Sequence, residues 1–294
     1  MENFDSIIMG ASTEQLSTEE YAAMKKQERE ELYSVIDETA TKVFADPKAL
    51  QQYLDMQARL GRATVNNTLL AVAQRPDAKH IFSFDEWKDR GRSLRQGEYE
   101  NAIKQFRQDK EYIRDDDTTA MGYKVVRCYD LNQTYGKPYR EKAILAMPIQ
   151  SKIKALLTKT PVPVRLSDHV PQNAIYDGQE KEIRVARGLD GNTLFYSLAR
   201  ELAHADYNKS VPDDYIHHLY EFEADCAAYI TSARVGIEAP LPSEIPYDLP
   251  GRDAEYKRAL LRGIRDTSCH VADRVEQNLY TERQQQKNMN EQTR

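Results

Sequence analysis

Cysteine is scarce in this 294-residue chain: only Cys128, Cys226 and Cys269, far apart and odd in number. They make neither a CxxC motif nor a disulfide framework, so idle thiols in a reducing compartment are expected. No apolar run approaches the roughly 20 residues that a bilayer-spanning helix needs, which argues against a membrane protein. The opening Met1-Glu2-Asn3-Phe4-Asp5 is acidic and lacks the basic and apolar regions of a secretory signal, so a cytoplasmic location is expected. Basic residues are not in surplus either. Against 41 Lys and Arg stand 47 Asp and Glu, a net charge of -6, so the chain as a whole is not a polyanion binder.

What is present is a foldable composition. Hydrophobic residues make up 40%, enough for one large or two modest domains. A charged fraction of 30% and a mean hydropathy of -0.74 predict a wet surface and long helices. The charge is uneven. Residues 59–142 hold 17 Lys or Arg and 13 Asp or Glu, a surplus of +4 between acidic flanks, which permits nucleic-acid contact locally.

The chain reads as α+β in four parts. Residues 1–16 are polar and aperiodic and are expected to be disordered. Residues 17–147 open with Ser17-Thr18-Glu19-Glu20, a capping box for a helix to about Phe44, followed by a helix from Ala49 to Leu60 ended by Gly61. A short helix over 66–74, a turn of helix from the Ser83–Glu86 capping box, a strand over 123–130 and a weaker strand over 142–147 make this a small α+β unit. Residues 148–250 are mostly helical around a hairpin, with two extended runs of 174–185 flanking an Asp177-Gly178 turn. Asp190 or Asn192 caps the helix that follows, and another helix covers about 215–235. Residues 251–294 form an amphipathic helix with Leu260, Ile264, Val271, Val275 and Leu279 on one face, fraying from Gln284.

Two stretches carry chemistry. The first is Arg200-Glu201-Leu202-Ala203-His204, followed some twenty residues on by Glu221-Phe222-Glu223-Ala224-Asp225. A helix bearing HExxH aims two histidines at one zinc ion, with the Glu activating the bound water. Here Glu201 and His204 stand in place, but Arg200 occupies the position of the first histidine. Arginine is always protonated and has no lone pair to donate. Its planar fork suits a carboxylate, so Arg200 is expected to fill the site itself and pair with Glu223 or Glu221. Alternatively, His217, His218 or Asp206 completes the coordination, although His217-His218 also reads as a surface pair at a helix start. The order of hairpin, HExxH-like helix and acid-bearing helix resembles the compact zincin-like metallopeptidase domains that accompany ArdC-type modules. That resemblance implies Glu201 as general base, with His204 and Glu223 as metal ligands.

The second stretch is Asn66–Gly136. Asn67-Thr68-Leu69-Leu70, Phe84-Asp85-Glu86-Trp87, the run from Gly91 to Glu98, and Tyr129-Asp130-Leu131-Asn132-Gln133-Thr134-Tyr135-Gly136 occur in the order and rough spacing of one family. The stretch resembles the N-terminal single-stranded-DNA-binding domain of ArdC-type antirestriction proteins. It departs from the family at Tyr99-Glu100-Asn101 and in the polar insert Asp109–Thr119, where a sheet edge is expected to be remodelled. Single strands are held by cations on phosphates and by bases stacked on aromatic rings. The candidates are Arg92, Arg95, Lys124 and Arg127, with Trp87, Tyr99 and Tyr123 as platforms. The competing reading makes Trp87 core and Lys124 and Arg127 ordinary solvated charges.

Together these imply a mobile-element accessory protein that binds single-stranded DNA and carries a metallopeptidase-like domain silenced by Arg200, with no cofactor. The alternative is an active zinc peptidase, recruited to DNA or to a DNA-bound protein substrate. A scaffold that uses the fold only for protein contacts is a third reading.

Overall fold

The computed structural model describes residues 17–113, 117–170 and 172–292; residues 1–16, read as disordered from the sequence, lie outside them. Side-chain caps set where the first helices start. Ser17 and Glu20 exchange hydrogen bonds (Ser17 N to Glu20 Oε2, 2.8 Å; Glu20 N to Ser17 Oγ, 3.2 Å), and α1 runs Thr18–Val43. Asp46 accepts from the Ala49 amide, so α2 (Pro47–Leu60) begins two residues earlier than expected, with Pro47 in the first turn where no amide is needed. Thr64 caps α3 (Val65–Gln74).

Then follow β1 (Ile81–Ser83), α4 (Phe84–Asp89), β2 (Arg92–Leu94), β3 (Ile103–Ile113), β4 (Thr119–Asp130) and β5 (Thr134–Gly136). The first sheet is antiparallel in the order β1-β4-β3, and β2 pairs with β5. The free edge of β3 is covered by a helix. The Asn67 amide of α3 donates to Phe106 O and accepts from Phe106 N, both at 2.8 Å. Two residues along β3, Gln74 does the same for Lys104 (3.0 and 2.8 Å). Two side-chain amides two turns apart on one face of α3 thus stand in for a neighbouring strand. Of the polar insert Asp109–Thr119, residues 109–113 end β3 and Thr119 opens β4, and residues 108–113 are exposed on both faces.

The second half contains α5 (Ile149–Leu157), β6 (Val164–Ser167), β7 (Ala174–Asp177), β8 (Glu182–Ala186), α6 (Gly191–Ser210), α7 (Glu221–Arg234) and α8 (Ala254–Gln292). Its sheet has the order β6-β8-β7, with β6 parallel and β7 antiparallel to β8. Asp190 caps α6 through the amides of Asn192 (3.0 Å) and Thr193 (3.1 Å). The architecture is α+β.

Three expectations need correction. The strand read over 142–147 is a 3-10 turn, Ala143–Ala146, because its amides bond three residues back (Leu145 N to Lys142 O, Met147 N to Ile144 O) rather than to a partner strand. The helix read over 215–235 breaks. A 3-10 turn, His217–Tyr220, precedes α7, which starts at Glu221. The tail expected to fray from Gln284 continues α8 to Gln292.

Among the described residues the two larger hydrophobic cores share their last helices. The first gathers Ile36, Phe44, Tyr53, Leu54, Leu69 and Leu70 from α1 to α3 with Phe222, Cys226 and Ile230 of α7 and Leu261 and Ile264 of α8. The second gathers Leu156, Ile183, Val185, Phe195, Leu198 and Leu202 with Ala228 of α7 and Val271, Val275 and Leu279 of α8. The boundary expected at Met147 therefore separates the sheets but not the cores. Among the described residues, no helix is long and apolar enough to cross a membrane.

Candidate functional site

α6 turns Phe195, Leu198, Ala199 and Leu202 into the second core. The 3.6-residue period then aims Arg200, Glu201 and His204 at α7, β7 and the turn before α7. Glu201 and His204 are fully buried, and the Arg200 side chain is 12% exposed.

Arg200 is surrounded by acids. Its guanidinium meets Glu201 Oε1 (2.8 Å), Asp225 Oδ1 (2.8 Å) and Glu221, and it also donates to Gln172 Oε1 (3.0 Å). Glu221 and Asp225 lie four apart on α7 and so share a face. Glu223 lies about 200° around the helix from each of them, at 100° per residue. It neighbours the hydroxyls of Tyr207 and Tyr220, and burial raises its carboxyl above the ordinary value. Of the two acids expected to receive Arg200, the arginine meets Glu221, and the helix period keeps Glu223 away. Burial also raises Asp225, against the opposing pull of Arg200 and the Tyr196 hydroxyl, which donates at 3.0 Å.

Glu201 is held from three sides. Besides Arg200, its Oε2 accepts from the Tyr176 amide of β7 (2.7 Å) and meets His217 Nε2 (3.2 Å). The other His217 nitrogen faces Glu221 Oε1 (3.1 Å). A neutral imidazole can donate to only one of these carboxylates, an imidazolium to both. The break before α7 is what brings His217 here, while His218 stays exposed and Asp206 turns away to His270 (2.8 Å) and Thr267 (3.1 Å).

His204 contacts the Tyr215 hydroxyl through Nδ1 (3.0 Å) and stacks on His217 with ring centroids 3.8 Å apart and planes 17° off parallel. Its Nε2 is buried with no hydrogen-bond partner among the described residues. Burial first, then His217 and Arg200, pushes its imidazole down to about 2, so the ring is neutral. Glu201, His204 and His217 bring one ligand atom each within 4.8 Å of one another, a donor set of the kind that holds a divalent metal. The aim of these atoms is another matter. A metal lies along the in-plane lone pair of each imidazole, and two rings stacked face to face do not converge on such a point. Glu201 and His217 also already spend their ligand atoms on Arg200, Tyr176, Glu221 and each other. The residues match a metal in kind, while in this conformation their ligand atoms are turned to protein partners. A cavity of about 460 Å³ opens beside Arg200, between Asn173, Tyr196 and Asp225.

The residues singled out for DNA all lie in the first half, and Arg92 sits over the Trp87 ring at 5.8 Å. Trp87 is fully buried, with Nε1 donating to Tyr129 O (2.8 Å), so it is core and presents no face to a base. Arg92 clamps β5 from β2, donating to Thr134 Oγ1 (2.8 Å), Thr134 O (3.1 Å) and the Lys137 carbonyl. Its guanidinium is committed to the fold. Arg95 is exposed and donates to Asn132 O (3.1 Å). Lys124 pairs with Asp109 (3.2 Å), and Arg127 lies over the Tyr99 ring at 4.8 Å with Glu100 at 3.7 Å. Tyr123 is 51% exposed on β4.

No family model matches the chain, and no curated protein does. Solved structures do match. The metal-free crystal structure of the antirestriction protein ArdC from plasmid R388 aligns with a TM-score of 0.57 over 84% of this chain and 98% of that one, at 16% identity. The Mn(II)-bound structure of the same protein aligns with a TM-score of 0.52 over 83% and 97%, also at 16% identity. Both halves fall within the alignment, so this chain shares the ArdC fold.

Proposed function

We propose that this chain is a cytoplasmic, antirestriction-type accessory protein of mobile elements. In this reading its first half binds single-stranded DNA, and its second half is a metallopeptidase-like domain that has exchanged its metal for an arginine. The observation that carries the second part is Arg200 itself: one guanidinium contacts Glu201, Glu221 and Asp225 at once. A cation fixed to the chain supplies the positive charge that a zinc ion would bring, and it has no lone pair or open coordination position with which to activate water. The ArdC likeness supports the antirestriction role by fold alone, and fold is a weak guide to role.

The test is metal analysis of the purified full chain after exposure to zinc and to manganese, run beside a peptidase assay. No stoichiometric metal and no peptide cleavage are expected. A second reading is favoured by the bare Nε2 of His204 and by the Mn(II)-bound ArdC structure: Glu201, His204 and His217 hold an ion once Arg200 releases Glu201 and the two imidazoles turn out of their stack. Stoichiometric metal that disappears in His204→Ala and His217→Ala would establish that reading, and cleavage lost in Glu201→Gln would restore the peptidase. For DNA, salt-sensitive binding of an unstructured single strand is expected, and its absence at low salt would remove the first part.

A further inference from the structure

A cavity of about 370 Å³ lies between α1, the start of α3, the β3–β4 hairpin and α8, with Tyr33, Asn66, Phe106, Tyr123, Arg262 and Arg265 among its walls. Its floor is aromatic. Tyr33 stacks on Phe106 with ring centroids 5.2 Å apart and planes 28° off parallel, yet Tyr33 is still 45% exposed. Phe106 pairs with Val125 across the sheet, and Tyr123 is two residues from Val125, so Tyr123 extends the same face.

The cations come from α8, an element with no part in the sequence reading of DNA contact. Arg258, Arg262 and Arg265 recur at i, i+4 and i+7 and share a side of that helix. Arg258 is paired with Asp37 (3.0 Å). Arg265 is committed to Ala63 O (3.3 Å) and Asp266 (2.6 Å). Arg262 is exposed and, among the described residues, its side chain makes no ion pair or hydrogen bond. Asn66 is likewise without a side-chain partner, whereas its neighbour Asn67 is used up on the β3 edge. Two partly exposed rings, an unpaired guanidinium and an unpaired amide thus converge on one concave space.

We infer that this cavity receives a nucleobase of a single strand, stacked on Tyr33 and Tyr123, with Asn66 at the base edge and Arg262 on the adjoining phosphate. Stacking accepts any base because every base has a π face, and an unpaired guanidinium neutralises a phosphate without first breaking an ion pair. The inference rests on the DNA-binding reading and moves its centre. The grip includes the C-terminal helix, in place of the buried Trp87 and the committed Arg92.

The test titrates full chain into a fluorescein-labelled oligothymidylate of about 12 nucleotides, at about 50 and about 200 mM salt. Tyr123→Ala is expected to weaken binding about tenfold with an unchanged salt slope. Arg262→Ala is expected to weaken it about tenfold at low salt and to lower that slope by about one. Tyr135→Ala, at an equally exposed tyrosine (55%) outside the cavity, is expected to bind as the parent does. Independently of any variant, an oligonucleotide carrying 5-iodouracil should photocrosslink to Tyr33 or Tyr123 in the unaltered protein. If the parent binds no single strand, the DNA reading itself fails. If the parent binds but the two cavity variants match it, or crosslinks fall only elsewhere, the cavity assignment fails and the DNA reading stands.

Discussion

At the scale of single residues, the chemistry turns on Arg200. Three acids surround it, and Glu201 among them has no exposure to water. Removing a cation from such a cluster strands the charges that it neutralised, and a broken buried pair typically costs about 3–5 kcal/mol. Glu221 remains 35% exposed, so solvent offsets part of the loss. Arg200→Met is therefore expected to destabilise the fold by about 3 kcal/mol, read as a lower urea midpoint at unchanged slope. Arg200→Lys, which keeps the charge but loses the fork, is expected to fall between the two. A variant as stable as the parent would mean that the cluster is already neutral without its arginine. That an arginine stands four residues before His204, beside an acid, was legible from residue type alone. Its selection of Glu221 over Glu223 follows from helix periodicity once both acids sit on α7. His217 was among the three residues, with His218 and Asp206, read as able to complete the site, and it alone of the three reaches Glu201; which of them would do so was not legible, because it depends on the break before α7.

At the scale of elements, the capping boxes at Ser17 and Ser83 were readable because their hydrogen bonds are local, and of the two caps read for α6, Asp190 and Asn192, Asp190 is the one that forms. The pairing of α3 with β3 was not, because it joins residues 39 and 30 apart in sequence. The Asn67-Thr68-Leu69-Leu70 run now has a physical account. Asn67 satisfies the amide and carbonyl of Phe106 at a sheet edge, and Leu69 and Leu70 enter the first core. A primary amide sets a donor and an acceptor side by side, as an open strand edge requires. Asn67→Asp keeps the size and loses the donor, so it leaves a buried carbonyl facing a carboxylate. It is expected to cost about 2–3 kcal/mol, against a smaller loss for Asn67→Gln, in denaturant unfolding. Faster hydrogen exchange at the Phe106 amide would accompany the loss. Equal stability of the two variants would mean that the edge is sealed by packing instead.

At the scale of the whole molecule, the sequence suggests two domains in series, while the packing ties them through α7 and α8. α8 sends Leu261 and Ile264 to the first core and Val271, Val275 and Leu279 to the second. Between these contacts, Arg234 of α7, 2% exposed, pairs with Asp273 (2.5 Å) and Glu276 (3.0 Å) of α8. Apolar periodicity revealed that α8 has a buried face, but not that the face spans two cores, since a single stripe carries no record of what lies opposite each part of it. Elements that bury side chains in two cores cannot leave one without exposing apolar surface in the other, so the cores should melt together. The expected calorimetric trace of the full chain is one transition. A chain ending at residue 250 should lose cooperative unfolding in both halves, because each core gives up side chains that are fully buried, Leu261 and Ile264 in one and Val275 and Leu279 in the other. Two separate transitions in the intact chain, or a shortened chain whose first half still unfolds sharply, would show that the halves are independent. The cavity lined by Arg262 would then lie at a loose junction rather than in a fixed wall, and single-strand binding would have to order it first.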